Sequence, residues 1–342
     1  MRIGILTGGG DAPGLNAVIR AVVKRARGLG HEVIGIKRGW SGLLDKVEKV
    51  TLTYEDVERI VDDAGTILLT SRTNPLKTPG GMEKVVENMK KLNLDCLIAV
   101  GGDDTLGVAR KLAEMGGKVI GVPKTIDNDV PGTDFTFGFL TAVEEATEAL
   151  DSIKITGASH ERIMVVEIMG RNAGWIATYA GIASGADLIL VPERPFKVSE
   201  VIDFVKEKRA KGKSSLLIVV AEGAMIRDYA GPITKDVKTD QFGNVMLGGI
   251  GEFLAKEIEK KTGYETRAVA PGDIIRGRKP IAFDRVLATR FGLMAAELSH
   301  KGKFGTMVAL RGTKIVDVDL IQGLTGTRIL DEQSIEFMEQ TF

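Results

Sequence analysis

Residues 2–30 run Arg2-Ile3-Gly4-Ile5-Leu6-Thr7, then Gly8-Gly9-Gly10-Asp11-Ala12-Pro13-Gly14, then Leu15-Asn16-Ala17-Val18-Ile19-Arg20-Ala21-Val22-Val23 and on to Gly28 and Gly30. A short apolar run has strand length, and a glycine turn ends it. Leu15, Val18, Ile19, Val22 and Val23 then repeat at the three/four spacing of a helix, which Gly28 and Gly30 stop. The same succession recurs along the chain. Strands are expected at 2–7, 32–37, 66–70, 95–100, 118–122, 162–168, 187–191, 215–221, 265–269 and 305–310. Helices fit 14–29, 82–92, 139–153, 198–211, 251–262 and 282–301. Such alternation implies an α/β fold with mainly parallel sheets covered on both faces. Ten strands exceed a comfortable open sheet, so two similar three-layer lobes are expected.

Composition narrows the function. Among 342 residues, Lys plus Arg total 46 and Asp plus Glu total 46, so no global field points to nucleic acid or an anionic membrane. Any bound anion must be held locally. Cys96 is the only cysteine, which excludes an intrachain disulfide and a Cys-rich metal site. It lies in the apolar run Cys96-Leu97-Ile98-Ala99-Val100 and reads as a core residue. No apolar stretch approaches the roughly 18 residues of a membrane span, and a cytoplasmic location is expected.

Glycines concentrate after the strand candidates, where open α/β sheets bind ligands. In Gly8-Gly9-Gly10-Asp11-Ala12-Pro13-Gly14, backbone N–H groups can approach an anion at a helix N-terminus. Pro13 stands where a dinucleotide fingerprint needs its last glycine, and the second strand ends in Lys37-Arg38 and not in a ribose-binding acid. Gly212-Lys213-Ser214 ends like a Walker loop, but Glu207 replaces the leading glycine. Alone, the triple glycine is equally a tight turn. Gly101-Gly102-Asp103-Asp104-Thr105 suits a phosphate cradle with a Mg2+ ligand; its plain alternative is that Asp103 or Asp104 caps a helix beginning near Leu106. Pro123-Lys124-Thr125-Ile126-Asp127-Asn128-Asp129 offers a cation, a hydroxyl and two carboxylates for acid–base work, although a polar loop of this make-up is common.

Together these loops resemble the 6-phosphofructokinase family. The resemblance extends through Ser159-His160-Glu161-Arg162, Met169-Gly170-Arg171, Ala221-Glu222-Gly223, Thr266-Arg267 and Asp284-Arg285, from Arg2 to about Leu310. It implies a phosphotransferase of glycolytic type with an alcohol acceptor, fructose 6-phosphate leading. The donor would lie on Gly10, Arg72, Gly102 and Asp103, with Asp103 holding Mg2+. Asp127 would be the general base, supported by Asp129, while Thr125 and Arg171 would steady the transferring group. Met169, Gly170 and Glu222 would face the sugar, and Arg162 and Arg267 would reach its 6-phosphate from a neighbouring subunit of a homodimer or homotetramer. Asp104 and Lys124 stand where ATP-using members usually carry glycine, so the resemblance points to pyrophosphate, with ATP as the alternative. The lobes would be 1–138 plus 271–303 for the donor and 139–270 plus 304–342 for the sugar.

One segment departs from the family pattern. Pro271-Gly272-Asp273-Ile274-Ile275-Arg276-Gly277-Arg278-Lys279-Pro280 carries Asp273 where members have a histidine on the sugar phosphate. A carboxylate at about 4 Å from a phosphate costs roughly 4 kcal/mol at an effective dielectric near 20. Three readings stay open. Arg278 and Lys279 restore the charge beside Arg276; the acceptor is an unphosphorylated sugar or polyol; or Asp273 turns away to Arg276 or Arg278. A dehydrogenase fails on the missing fingerprint. A silent metabolite sensor fits poorly with Asp103, Thr125, Asp127 and Arg171 all in place. Arg20, Lys211 and Lys213 fall near effector positions of regulated members, but Tyr54-Glu55 stands where an arginine is expected; ordinary surface charge is the other reading.

Overall fold

Twelve strands form among the described residues of the computed structural model, which are 1–227 and 247–342. They are β1 (Arg2–Thr7), β2 (Glu32–Ile36), β3 (Lys49–Leu52), β4 (Cys96–Gly101), β5 (Val119–Thr125), β6 (Phe137–Gly138), β7 (Ile163–Ile168), β8 (Leu188–Leu190), β9 (Leu216–Ala221), β10 (Thr266–Val269), β11 (Thr306–Arg311) and β12 (Lys314–Asp319). The chain divides into two units. One holds Met1–Thr141 and Arg276–Thr327; the other holds described residues 142–227 and 247–275 with Arg328–Phe342.

In the first unit the strand order is β12-β11-β5-β4-β1-β2-β3, with β6 also paired to β5. The central pairs are parallel, and only the outer β2–β3 and β11–β12 pairs are antiparallel. Successive residues of β4 show why the middle of the sheet is apolar throughout. Cys96, Ile98 and Val100 join Val18, Val22 and Phe291 in one core, from helices Leu15–Gly28 and Ala282–His300. Leu97 and Ala99 join Val85 and Leu106 in the other, from helices Gly81–Lys91 and Asp103–Glu114. Period-two alternation here separates two buried faces. Each large aliphatic side chain so buried contributes about 1.5–3 kcal/mol.

The second unit has the parallel order β10-β7-β9-β8. Ile163, Val165, Ile218 and Val220 pack there against Leu254 and Ile258 of helix Ile250–Thr262.

Four expectations change. Residues 66–70 are not a strand: Leu69 has φ 58°, and the segment's carbonyls receive Arg38 N–H and the Thr7 hydroxyl. β3, β6 and β12 were not anticipated: β3 and β12 are edge strands of mixed residues, and β6 is only two residues long. Helices Trp175–Ala183 and Glu332–Glu339 were also unforeseen. Finally, β11 is hydrogen-bonded to β5, so 304–327 sits with the first unit, and residues 271–275 sit with the second.

Candidate active site

The two glycine loops of the first unit are drawn together by Thr105, which is 1% exposed. A Cβ on Gly8 would lie 2.6 Å from its Oγ1, and one on Gly101 would lie 2.3 Å from its Cβ. Only glycine permits that approach. Gly8 N–H donates to Val100 O at 2.9 Å and Gly9 N–H to Ser71 O at 3.0 Å, which leaves Gly10 at the crest of the turn.

Three cations converge on Gly10. Lys124, at the end of β5 and 3% exposed, donates from Nζ to Gly10 O at 2.5 Å. The position a Gly10 Cβ would take is 3.1 Å from Arg276 Nη1 and 3.9 Å from Arg72 Nη2. Arg276 also donates to Asp11 O at 3.4 Å. Burial drives the Lys124 ammonium down to about 8, and Arg276 adds to the fall; Asp127, Asp11 and Asp129 oppose it. Arg276, expected with the sugar, thus has its guanidinium on the glycine loop. Asp11 faces the lysine and had not been singled out. Its place directly after the triple glycine was the available signal.

The plain alternative for Gly101-Gly102-Asp103-Asp104 does not hold. The helix begins at Asp103, Gly102 is its N-cap, and no side chain caps it. Both aspartates fall in the first turn, where the helix dipole favours negative charge. Beside this turn, a Gly102 Cβ would lie 3.4 Å from Lys124 O and 3.6 Å from Thr125 Cβ. Thr125 Oγ1 donates to Asp127 Oδ2 at 3.2 Å and accepts Asp127 N–H at 3.1 Å. Asp127 and Asp129 are each 9% exposed. Asn128, at φ 54°, accepts Thr136 N–H at 3.0 Å and so braces the turn between them. Among the described residues no cluster of three or more His, Cys, Asp or Glu side chains is disposed to hold a metal ion.

In the second unit, Met169-Gly170-Arg171 leaves the end of β7 with Gly170 at φ 153° and Arg171 at φ 55°. Glu222 Oε1 accepts Gly170 N–H at 3.2 Å and Arg171 N–H at 2.9 Å. Arg162 and Arg267 meet instead at Glu265, at 2.8 and 2.9 Å. Those two cations hold the Glu265 carboxyl below its usual range, the Arg162 hydrogen bond most of all. Arg267 also lines a cavity of about 380 Å3 with Glu167, Lys256 and Thr266. Asp273 is exposed in the short turn Gly272–Arg276. Lys279, one proposed compensation for it, is paired with Asp62 at 3.1 Å. At the effector-type positions, Lys211 pairs with Glu207, Lys213 pairs with Asp187, and Arg20 donates to Glu58 O.

The family model for phosphofructokinase matches residues 2–299. A relative from Amycolatopsis methanolica, named pyrophosphate–fructose 6-phosphate 1-phosphotransferase, is 52% identical over 343 residues, covering all of both chains. ATP-dependent 6-phosphofructokinase 2 of Streptomyces coelicolor is 46% identical, again over 100% of each. The solved Pichia pastoris phosphofructokinase superposes with a TM-score of 0.82 at 30% identity, over 99% of this chain and 36% of that one.

Proposed function

The chain belongs to the phosphofructokinase family, and from that premise we propose that it moves a phosphoryl group reversibly from pyrophosphate to the 1-hydroxyl of fructose 6-phosphate. The observation that carries the donor choice is the buried Lys124 ammonium on the Gly10 carbonyl. Both kinds of relative match over the whole chain, and the one named for pyrophosphate is the more similar, 52% identical against 46% for the one named for ATP. A compact cation in that position pairs with the outer phosphate of pyrophosphate. Asp104, in the first helical turn, takes the space and repels the charge of a nucleotide's α-phosphate, the one pyrophosphate lacks. Arg72 and Arg276 complete the positive lining of the glycine loop, so Arg276 is assigned here to the donor.

Asp127 takes the proton of the sugar hydroxyl as its oxygen attacks the outer phosphorus. The bond from that phosphorus to the bridging oxygen breaks, and orthophosphate leaves with the electron pair. Thr125 fixes the carboxylate's orientation by donating to one oxygen and accepting Asp127 N–H. Arg171 steadies the transferring group; such reactions depend on positioning and charge neutralisation more than on covalent help. Mg2+ fits this donor set. It takes one or two carboxylates and fills the rest of its shell with phosphate and water, which matches Asp103 without a preformed acidic cluster. Bound there, it would neutralise charge on the phosphates.

Arg162 and Met169 stand at opposite ends of β7, about 23 Å apart at roughly 3.3 Å per residue. Arg267 pairs with Met164 in register and so shares the Arg162 end. One hexose phosphate cannot span that length. That separation supports the reading that Arg162 and Arg267 serve the 6-phosphate of a neighbouring copy in a homo-oligomer. No helix among the described residues is long and apolar enough to cross a membrane, in keeping with a cytoplasmic enzyme.

The deciding measurement is kcat/KM with Mg2+, crossing pyrophosphate and ATP against fructose 6-phosphate, other sugar phosphates, free sugars and polyols. Pyrophosphate with fructose 6-phosphate should lead. An unphosphorylated acceptor ahead by tenfold, about 1.4 kcal/mol of transition-state preference, would sink the acceptor assignment and give Asp273 a hydroxyl to bind. ATP ahead would sink the donor assignment.

A further inference from the structure

The loop Met169-Gly170-Arg171-Asn172-Ala173 is held at both ends by carboxylates. Glu222 takes the N–H groups of Gly170 and Arg171. At the other end, Gly174 N–H donates to both oxygens of Glu193, at 3.0 and 3.2 Å. Gly174 is the N-cap of helix Trp175–Ala183, and it has no space for a side chain: a Cβ would lie 2.5 Å from Val191 and 2.9 Å from Glu193 Oε2. The loop cannot relax by sliding that residue.

Glu193 is itself tied to the far end of the chain. Its Oε1 accepts Leu330 N–H at 3.1 Å. The Trp175 indole N–H donates to Arg328 O at 3.1 Å, and the Arg328 guanidinium lies 4.1 Å above that ring. Leu330 and Met338, at 3% and 1% exposed, anchor the segment. Next to Glu193, Arg194 pairs with Glu332 at 2.6 Å and Glu339 at 3.1 Å.

We propose that Glu193 is a positioning residue for the acceptor loop, and that residues 328–342 are a strap that keeps Glu193 in register, so that acceptor handling depends on the C-terminal segment. This rests on the reading that Met169 and Gly170 face the acceptor and that Arg171, on the same loop, steadies the phosphoryl group passing to it. The Glu193 carboxylate fixes the Gly174 end of the loop that carries Arg171, as Glu222 fixes the other end.

The test uses the full chain with Glu193→Ala, Glu193→Gln and Arg328→Ala, read by steady-state kinetics and by amide hydrogen exchange across 170–174. Glu193→Ala should lower kcat/KM for the acceptor at least about tenfold, the size expected for a misplaced catalytic group, while KM for pyrophosphate moves less than about twofold. Glu193→Gln should recover part of the loss, because its amide oxygen still accepts Gly174 N–H. Arg328→Ala should act in the same direction more weakly, and it keeps the question answerable if Glu193→Ala does not fold. Exchange at 170–174 should quicken in all three. Unchanged acceptor kinetics with quickened exchange would overturn the positioning role, as would equal losses for both substrates. Unchanged exchange would overturn the strap. If the unaltered enzyme does not turn over fructose 6-phosphate, the functional reading has failed, and exchange still judges the strap.

Discussion

Lys124 carries its charge in a place where the fold would be more stable without it. The residue is 3% exposed and its pKa falls to about 8 from 10.5, mostly through burial. At pH 7 the native state keeps the proton, so the shift costs on the order of 3 kcal/mol at about 1.4 kcal/mol per tenfold change. Between pH 8 and 10.5 the native amine is neutral while the unfolded one is still charged. The unfolded state then binds more protons, and stability rises with pH across that window. Lys124→Met should therefore melt higher than the unaltered chain at pH 7, by about 2 kcal/mol once loss of the Gly10 hydrogen bond is subtracted, and the gain should vanish near pH 10.5. Thermal midpoints across pH read this out, and a gain that ignores pH would contradict it. On the proposed donor contact, the same charge has a use in binding. KM for pyrophosphate should climb above about pH 8 in the unaltered enzyme, as the cation that pairs with the outer phosphate is lost. The presence of Lys124 and its loop was legible in the sequence; its burial was not, because that depends on Gly10 and Arg276 arriving from distant segments.

Turns and helix ends transmit this geometry between elements. A Cβ on Gly223 would lie 1.9 Å from Arg171 O, so the loop after β9 fits against the loop after β7 only without a side chain. Gly223→Ala should push Arg171 aside and cut acceptor kcat/KM by about a hundredfold, the cost of a misplacement near 1 Å, with KM for pyrophosphate unchanged; kinetics with both substrates check it. Asp284, 0% exposed, lies in the first turn of helix Ala282–His300, and its Oδ2 accepts Thr141 N–H at 2.8 Å and the Thr141 hydroxyl at 2.6 Å. It holds the first turn of helix Phe139–Ser159. Burial raises its pKa above 3.8 against the pull of Thr141. The native carboxyl thus keeps its proton after the unfolded one has ionised, and stability falls as pH rises through that interval. Asp284→Asn should abolish this fall at little cost, whereas Asp284→Ala should lose about 1–3 kcal/mol by orphaning two donors. Urea midpoints measured from pH 4 to 7 distinguish the two. The sequence announced Asp284 as a helix start, and only the fold showed that the helix it secures is a different one.

For the molecule as a whole, Cys96 reports on integrity. It is 0% exposed in β4 between β1 and β5, and burial pushes its thiol up to about 11. A thiol reagent at pH 8 should label it only after the eight-stranded unit opens, with a rate that rises in urea along the global unfolding curve; rapid labelling of the native protein would contradict this. The α/β class, most strands and helices, and the loops that follow β1, β4 and β5 were all readable from the chain. They depend on near-neighbour chemistry: apolar periodicity, and glycines where the backbone must turn. The false strand at 66–70 and the missed strands β3 and β12 mark the limit of that reading, since an edge strand or a segment with Leu69 at φ 58° is decided by what it meets. The placing of side chains was likewise decided only in three dimensions. Arg276 lies against Gly10, Arg162 and Arg267 share Glu265, and Glu193 joins Gly174 to Leu330. The sequence by itself determined which candidate groups for phosphoryl transfer the chain carries. The tertiary structure alone decided which of them lie together, because hydrogen bonds and charge pairs depend on separation in space, and Gly10, Asp11 and Leu330 lie more than a hundred residues along the chain from their partners Lys124, Arg276 and Glu193.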